Sequence, residues 1–544
     1  MKIICTTLLI EKSPQALPLG AACIASAIKH DPLTKDICTT ELEVFSMEDR
    51  DYVALKNEED RIKFISNRLL AKNPQVVAFS IFVWNRIVLE KVAAVLKTKG
   101  IFCIAGGPEV TAHPESFDVF DALSCGEGEG SVPSIIYDIS KGNLKSGEKR
   151  ILPSGVCQNL SFSPYLDGTL DPSEYEGALW ELARGCPFKC SYCYESKGQK
   201  TVRQIPMERI QKELDLFAKK KIPQVFVLDP TYNAGKKRAI ELLNLIAKKT
   251  PGTFYYFEAR AEFIDRELAH AFTKIPCALQ IGLQSADENV LKLVNRPFNK
   301  KQFARNIGFL NDEGVIFGLD LIYGLPGESL RGFKDGIDFA ISLYPNNLET
   351  FCLSVLPGTD LYDKAKDLHL TYETTPPYHV LYTDKFSKED LAQAEKLSKA
   401  CSFFYNEGRA VPWFNTICRS LKMRPAQFFA AFADYMESHK NLIESETVCS
   451  NHFEIEKIQI DFVTQQFNQK NKKNHIKAAT DLIRFNGALS RTQDTGKGEA
   501  VKLSYNSEYL ASQYATDLDF FVTNIKCSPC TIKTFKNGSF ADWK

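Results

Sequence analysis

"RGCPFKCSYCYESKG", residues 184–198, sets Cys186, Cys190 and Cys193 in a C-x3-C-x2-C spacing beside Gly185 and two tyrosines. Soft thiolates take zinc, copper(I) or iron–sulfur clusters, and the ligand count decides among them. Structural zinc needs four ligands, and no histidine stands between His113 and His270, so zinc would have to recruit a distant fourth. A [4Fe-4S] cluster normally takes four cysteines, so three from one loop leave one iron without a protein ligand and open to substrate. The loop is rich in Lys, Ser, Gly and Tyr, which argues against three unrelated core cysteines.

Outward from the loop the chain reads as an α/β series. Runs at Ala178 to Ala183, Gln224 to Leu228, Phe254 to Glu258, Ala278 to Leu283, Ile316 to Ile322 and Leu348 to Val355 alternate with amphipathic segments such as "MERIQKELDLFAKKK". Six β/α units predict a (β/α)6 partial TIM barrel, whose chemistry gathers at the carboxyl ends of the strands. The cysteines, Asp229 and Asn233, Glu258 and Arg260, Gln284 and Ser285, "YGLPGE" and "LPGTD" all fall at those ends.

Residues 1–145 show the same rhythm, with strands expected at Ile3 to Leu9, Glu41 to Phe45, Val76 to Phe82, Phe102 to Ala105 and Ala122 to Cys125. Five units predict a doubly wound, Rossmann-like sheet of flavodoxin type, with its ligand crevice beyond the carboxyl ends. "SIFVWN" with Trp84 and Asn85, "GGPEVT" from Gly106 to Thr111, and "CGEGEGS" from Cys125 to Ser131 face that crevice. "GEGEG" lacks nucleotide-loop spacing and lysine and carries Glu127 and Glu129 where phosphate would sit, so alone it reads as a tight strand-to-helix turn.

Residues 146–172, with Pro153, Pro164 and Pro172, read as a linker to a core at 173–370. From 371 to 544 the strand rhythm gives way to a mainly helical domain. There "NQKNKKNHIK", 468–477, reads as a solvated helix face before an RNA patch, and Cys527-Ser-Pro-Cys530 as a redox pair or half a metal site. The 67 basic and 67 acidic residues create no overall field for nucleic acid or an anionic membrane. "MKIICTTLLIEKSPQ" reads as a first strand and not a signal peptide, and no apolar run reaches the ~18 residues of a membrane span. Sixteen cysteines, mostly single within apolar runs, suit a reducing, cytoplasmic setting.

C-x3-C-x2-C directly after the first strand of a β/α barrel, with Tyr192 just before the third cysteine, resembles the radical SAM superfamily. The resemblance implies a [4Fe-4S] cluster on Cys186, Cys190 and Cys193 and an open iron that chelates S-adenosylmethionine (SAM). It also implies reductive cleavage of SAM to a 5′-deoxyadenosyl radical, chemistry that the cofactors carry and the protein orients. "GLQSADENVLKLVNR", 282–296, and "DLIYGLPGESLRGF", 320–333, resemble segments of radical SAM enzymes with an N-terminal cobalamin (B12)-binding domain. So do "PLG" at Pro18 to Gly20, Trp84-Asn85, Gly106 to Thr111 and Gly126 to Glu129, and the likeness spans roughly residues 1–370.

By that resemblance Trp84, Asn85, Gly106, Gly107, Thr111, Gly126 and Glu127 serve cobalamin and Tyr192 serves the cluster and SAM, while Glu258, Arg260 and Gln284 are expected at the ribose or carboxylate of SAM from their strand-end positions alone. D-x-H-x-x-G is absent from residues 1–145, so the lower face of cobalt is expected to meet no histidine. The turn after the second barrel strand reads "LDPTYN", which makes Asp229 or Asn233 the expected contact of the SAM amino group. The implied activity is methylation of an unactivated carbon in an unidentified substrate, fed by an electron donor such as flavodoxin or ferredoxin. Ring formation, oxidation or rearrangement without methyl transfer is the second reading, and an RNA-modifying or RNA-binding iron–sulfur protein the third, set last by the neutral charge.

Overall fold

The aliphatic run Lys2–Leu9 forms β1 of a sheet ordered β2-β1-β3-β4-β5-β6, in which every strand pair is parallel. Its other members are β2 Thr39–Ser46, β3 Val76–Ser80, β4 Phe102–Gly106, β5 Ala122–Gly126 and β6 Arg150–Gly155. The computed structural model describes residues 1–145, 147, 148, 150–196, 201–443 and 451–543, so Lys197 and Gly198 of the quoted cysteine stretch lie outside the described residues.

Successive side chains point to opposite faces of a strand, and helices cover both faces here. Ile4, Leu8, Val77, Phe79, Cys103 and Leu123 therefore pack on one side with Leu89, Val92 and Leu96. Ile3, Cys5, Val76, Ala78, Ile104 and Ala122 pack on the other with Ile135 and Ile136. The order reverses between β1 and β3, which is the switch point expected of a flavodoxin-type sheet. Strand β6 lies inside the stretch read as a linker. Pro153 disguised it, and proline is tolerated there because β6 is an edge strand.

The second sheet runs β14-β13-β12-β11-β10-β7, six strands in chain order and therefore an open barrel. Its strands are β7 Ala178–Trp180, β10 Gln224–Val227, β11 Phe254–Ala259, β12 Cys277–Gln284, β13 Ile316–Tyr323 and β14 Asn347–Cys352. A small hairpin, β8 Ala183–Arg184 with β9 Arg203–Gln204, stands between the first two. The connecting helices include Met207–Lys220, Lys236–Lys249, Lys300–Glu313 and Leu330–Ser342. The last two start on side-chain caps: Asn299 accepts from the Gln302 amide and Ser329 from that of Gly332.

The chain divides into two compact units within β12. One comprises Met1–Leu279, Val294–Arg296 and Ser354–Val380; the other Gln280–Leu293, Pro297–Leu353 and Leu381–Lys544. The second unit carries the helices Lys388–Cys401, Pro425–Ser438, His452–Gln469 and Ile476–Thr495. Phe404 anchors their core, with Phe428 and Phe432 edge-on at 4.9 and 4.8 Å between ring centroids. This region also holds an antiparallel sheet of Ala500–Leu503, Cys530–Thr534 and Phe540–Asp542, which the sequence rhythm did not reveal. Among the described residues no helix is long and apolar enough to cross a membrane.

Candidate cluster and cofactor site

The cysteine loop leaves the barrel where Asp229 receives the chain. One carboxylate oxygen accepts from the amides of Leu182 and Ala183 at 2.8 and 2.9 Å, and burial pushes the carboxyl up to about 7. The β8–β9 hairpin then brackets residues 185–202. Inside it the Cys193 amide donates to the Cys190 carbonyl at 3.1 Å, turning the loop back on itself. Three hydrogen bonds to two remote segments fix its backbone: Ser191 donates to the Val294 carbonyl, Leu361 to the Ser191 carbonyl, and the Asn295 side chain to the Lys189 carbonyl at 2.6 Å.

Cys190 is buried, and Cys186 and Cys193 are half-buried. Burial pushes the Cys193 thiol up to about 11, and the nearby Cys190 and Cys186 push in the same direction, which places both of those sulfurs in the field of Cys193. Among the described residues no three His, Cys, Asp or Glu side chains converge on a single metal ion. A [4Fe-4S] cluster spreads its thiolates over separate irons and needs them grouped, not convergent on a point.

Two guanidinium groups attend the deepest sulfur. Arg260 Nη1 lies 4.0 Å and Arg296 Nη1 3.8 Å from Cys190 Sγ, and both arginines are buried. Arg260 lies over the Phe188 ring at 3.9 Å and donates to Glu262 at 2.7 Å, while its buried Nε has no hydrogen-bond partner. Arg296 also reaches the Tyr192 hydroxyl at 3.4 Å, and burial raises that phenol. Asn233, fully buried, turns its amide back onto the backbone of Arg260. Glu258 is exposed on the open face of β11, next to the strand end that carries Arg260. Three grouped thiols with two cations and an orphaned buried donor beside them form a set that fits an anionic thiolate cluster.

The crevice of the first sheet is built by side chains that spend themselves on backbone. Asn85 donates to Thr7 Oγ1 and the Leu8 carbonyl at 3.1 and 3.2 Å, and accepts from the Phe82 amide at 2.8 Å. Thr111 Oγ1 donates to the Gly107 carbonyl and accepts from the Gly126 amide, both at 2.9 Å, linking two glycine turns. Gly107 has φ +108°, and a Cβ there would sit 2.5 Å from the Ile81 carbonyl oxygen, so no other residue fits without strain. Gly106 ends β4 next to it. Trp84 stacks on Phe82, centroids 4.6 Å apart and planes 6° from parallel, and is tethered by its indole N–H to the Leu8 carbonyl at 3.1 Å. It is still 43% exposed, a flat apolar surface at the β1/β3 switch point.

Comparison with known proteins gives this arrangement a family. Residues 180–340 match the model of the radical SAM superfamily. These residues form a radical SAM domain. Residues 366–495 match a further family described only as "Protein of unknown function (DUF4080)". The chain is 26% identical over 350 residues to the cobalamin-dependent radical SAM methyltransferase TokK of Streptomyces tokunonensis, covering 56% of this chain and 50% of that one. It is 27% identical over 352 residues to the 2-(S-pantetheinyl)-carbapenam-3-carboxylate methyltransferase of Streptantibioticus cattleyicolor, with the same coverage. The chain thus spans about half the length of the curated relatives it matches. In fold it is similar to the cobalamin-dependent SAM radical enzyme OxsB, with a TM-score of 0.56 at 14% identity over 86% of this chain and 79% of that one. It is also similar to TsrM of Kitasatospora setae, with a TM-score of 0.53 at 14% identity over 70% and 79%.

Glu127, ahead of the radical SAM domain in the chain, joins the first sheet to the cysteine hairpin. Its carboxylate pairs with Arg203 of β9 and, at 3.3 Å, with Arg184 of β8, and it accepts from the Cys157 amide at 2.8 Å. Burial works to raise that carboxyl, but the two guanidiniums outweigh it and hold it below the ordinary range. Tyr194 of the loop meets Thr111 of the crevice. Arg184, Arg203, Tyr194 and Arg296 were not singled out from the sequence, although Arg296 closes the "LKLVNR" run that carried part of the resemblance.

The end of β12 lies in the other unit. Gln284 adopts φ +69° and its buried Oε1 has no partner, while the next residue, Ser285, donates to Glu328 at 2.9 Å. Burial pushes Glu328 up to about 8.

Proposed function

We propose that this protein is a cobalamin-dependent radical SAM methyltransferase acting on an unactivated carbon. The observation that carries the reading is the attachment of the cysteine hairpin to the crevice of a flavodoxin-type sheet through Glu127 and Tyr194. Two cofactor sites built on one unit suit a reaction that uses both. The methyl-transfer names of TokK and the carbapenam-carboxylate enzyme supply the reaction class.

When bound, the cluster with SAM supplies a 5′-deoxyadenosyl radical, and cobalamin supplies a transferable methyl group. Cys186, Cys190 and Cys193 hold the cluster. Arg260 and Glu258, at the end of β11, offer a cation and an anion to the zwitterionic end of SAM. Trp84 offers the corrin ring an apolar face, and Gly106, Gly107 and Gly126 let it approach the backbone. Asn85 and Thr111 hold those turns in place, and Asp229 and Asn233 hold the cysteine loop and Arg260. The electron comes from a flavodoxin or ferredoxin in a reducing cytoplasm.

Assay with substrate, reductant and SAM tests the reading. Methyl transfer consumes one SAM for the methyl group and one for the radical, so S-adenosylhomocysteine and 5′-deoxyadenosine accumulate in a ratio near one and the product gains one methylene. Substrate-dependent 5′-deoxyadenosine without S-adenosylhomocysteine would instead establish the ring-forming, oxidative or rearrangement alternative. RNA recognition is disfavoured because Lys472 and His475 of the basic cluster are engaged by Asp519 at 2.7 and 2.6 Å.

A further inference from the structure

We infer that Arg260 and Arg296 set the reduction potential of the cluster by clamping the sulfur of Cys190; the inference rests on the cluster assigned above to the cysteine loop. The two guanidiniums arrive from different elements, one from the end of β11 and one from the segment following the helix Glu288–Leu293. Both are more than nine-tenths buried, as is Cys190 itself. Burying a guanidinium is costly unless negative charge and hydrogen-bond acceptors meet it. Glu262 lies in the field of both arginines and answers part of that demand. The opposite edge of Arg260, whose Nη1 faces Cys190 Sγ at 4.0 Å, still demands negative charge. A thiolate-ligated cluster beside Cys190 meets it.

Each arginine is also held so that it cannot swing away. Asn233 fixes the backbone of Arg260 and Phe188 lies under its plane, while the Val294 carbonyl ties the segment bearing Arg296 to Ser191, the neighbour of Cys190. Such rigidity belongs to groups that act through field and direction. Reduction adds negative charge to the cluster, and N–H donors and positive charge at a ligand sulfur favour that state. Arg260 and Arg296 are therefore positioning residues that raise the potential toward the reach of a flavodoxin or ferredoxin.

The test is an EPR-monitored redox titration of the anaerobically reconstituted full chain without SAM, so that changes in SAM binding do not enter. Arg296→Gln and Arg260→Gln should retain iron, sulfide and visible absorbance yet titrate at a more negative potential. At the wild-type midpoint the reduced-to-oxidised ratio should fall at least tenfold, about 59 mV for a one-electron couple. Arg296→Lys, which keeps the charge and loses the fork, should fall between. Glu262→Gln removes the counter-carboxylate and should move the midpoint the opposite way, to more positive potential; it carries the test if an arginine variant fails to hold a cluster. Midpoints equal to wild type in the cluster-bearing Gln variants, or no positive movement in Glu262→Gln, would overturn the inference. A wild-type chain that takes up no cluster would instead overturn the reading on which it rests.

Discussion

Asn233 Nδ2 donates to the Arg260 carbonyl at 2.9 Å, and the Arg260 amide donates back to Asn233 Oδ1 at 3.0 Å. This two-point clamp fixes the residue that directly follows β11. In Asn233→Ala a buried N–H and a buried C=O lose their partners, each at a cost of roughly 1–3 kcal/mol. Asn233→Asp keeps the acceptor and should lie between. Denaturant unfolding of the cluster-free protein measures the loss, and an alanine variant within about 0.5 kcal/mol of wild type would show that the clamp is not holding the strand end.

Replacing Cys186, Cys190 and Cys193 together with alanine should abolish iron, sulfide and the visible absorbance after anaerobic reconstitution, while circular dichroism stays as in wild type. Unchanged iron content would place the cluster elsewhere. Cys527 and Cys530 should contribute none: Cys530 directs its thiol to the Tyr505 carbonyl at 3.3 Å, and two thiols do not complete a cluster.

Hydroxocobalamin should remain with the protein after desalting at micromolar concentration and show no histidine-ligated spectrum. Trp84→Ala removes a half-exposed ring and leaves the fold intact, so a loss of corrinoid affinity of tenfold or more, about 1.4 kcal/mol, is the expected result. Gly107→Ala forces a Cβ against the Ile81 carbonyl and should lose corrinoid together with about 1–3 kcal/mol of stability. Should wild type retain no corrinoid, methyl transfer falls as the proposed reaction.

Glu328 links stability to pH. Burial raises its carboxyl to about 8, against roughly 4.3 in an unfolded chain. The folded protein thus holds a proton that the unfolded chain releases. That contribution is complete below the unfolded value and is lost as pH rises through the folded one. Glu328→Gln, which mimics the protonated form and keeps a partner for Ser285, should gain on wild type as pH rises from about 5 to 8, at up to about 1.4 kcal/mol per unit. Parallel stability curves for the two proteins would mean that Glu328 is ionised in the fold.

The barrel strands were legible because each is an apolar run of ordinary strand length set between amphipathic helices; Gln224 to Leu228, for example, became Gln224–Val227. The small C-terminal sheet was not, since its strands have 4, 5 and 3 residues, and Ala500 pairs with Lys533 far along the chain. The cysteine spacing announced itself, but the direction of a polar side chain did not. Asn233 and Asp229 stand at strand ends that open on the site, yet both hold backbone. Arg296 meets Cys190 across 106 residues, a separation that no local pattern encodes.

The carboxylate of Glu127 grips Arg184 on one flank of the cysteine loop and Arg203 on the other, while its own turn, Gly126 to Gly128, belongs to the crevice of the first sheet. Anything that settles against that turn also settles the hairpin from which the three thiols hang. On the proposed reading, corrinoid and cluster are two ligands of one ion-pair junction, and their affinities are bound by reciprocity. By whatever factor a seated corrinoid tightens the hold on the cluster, the cluster must tighten the hold on the corrinoid.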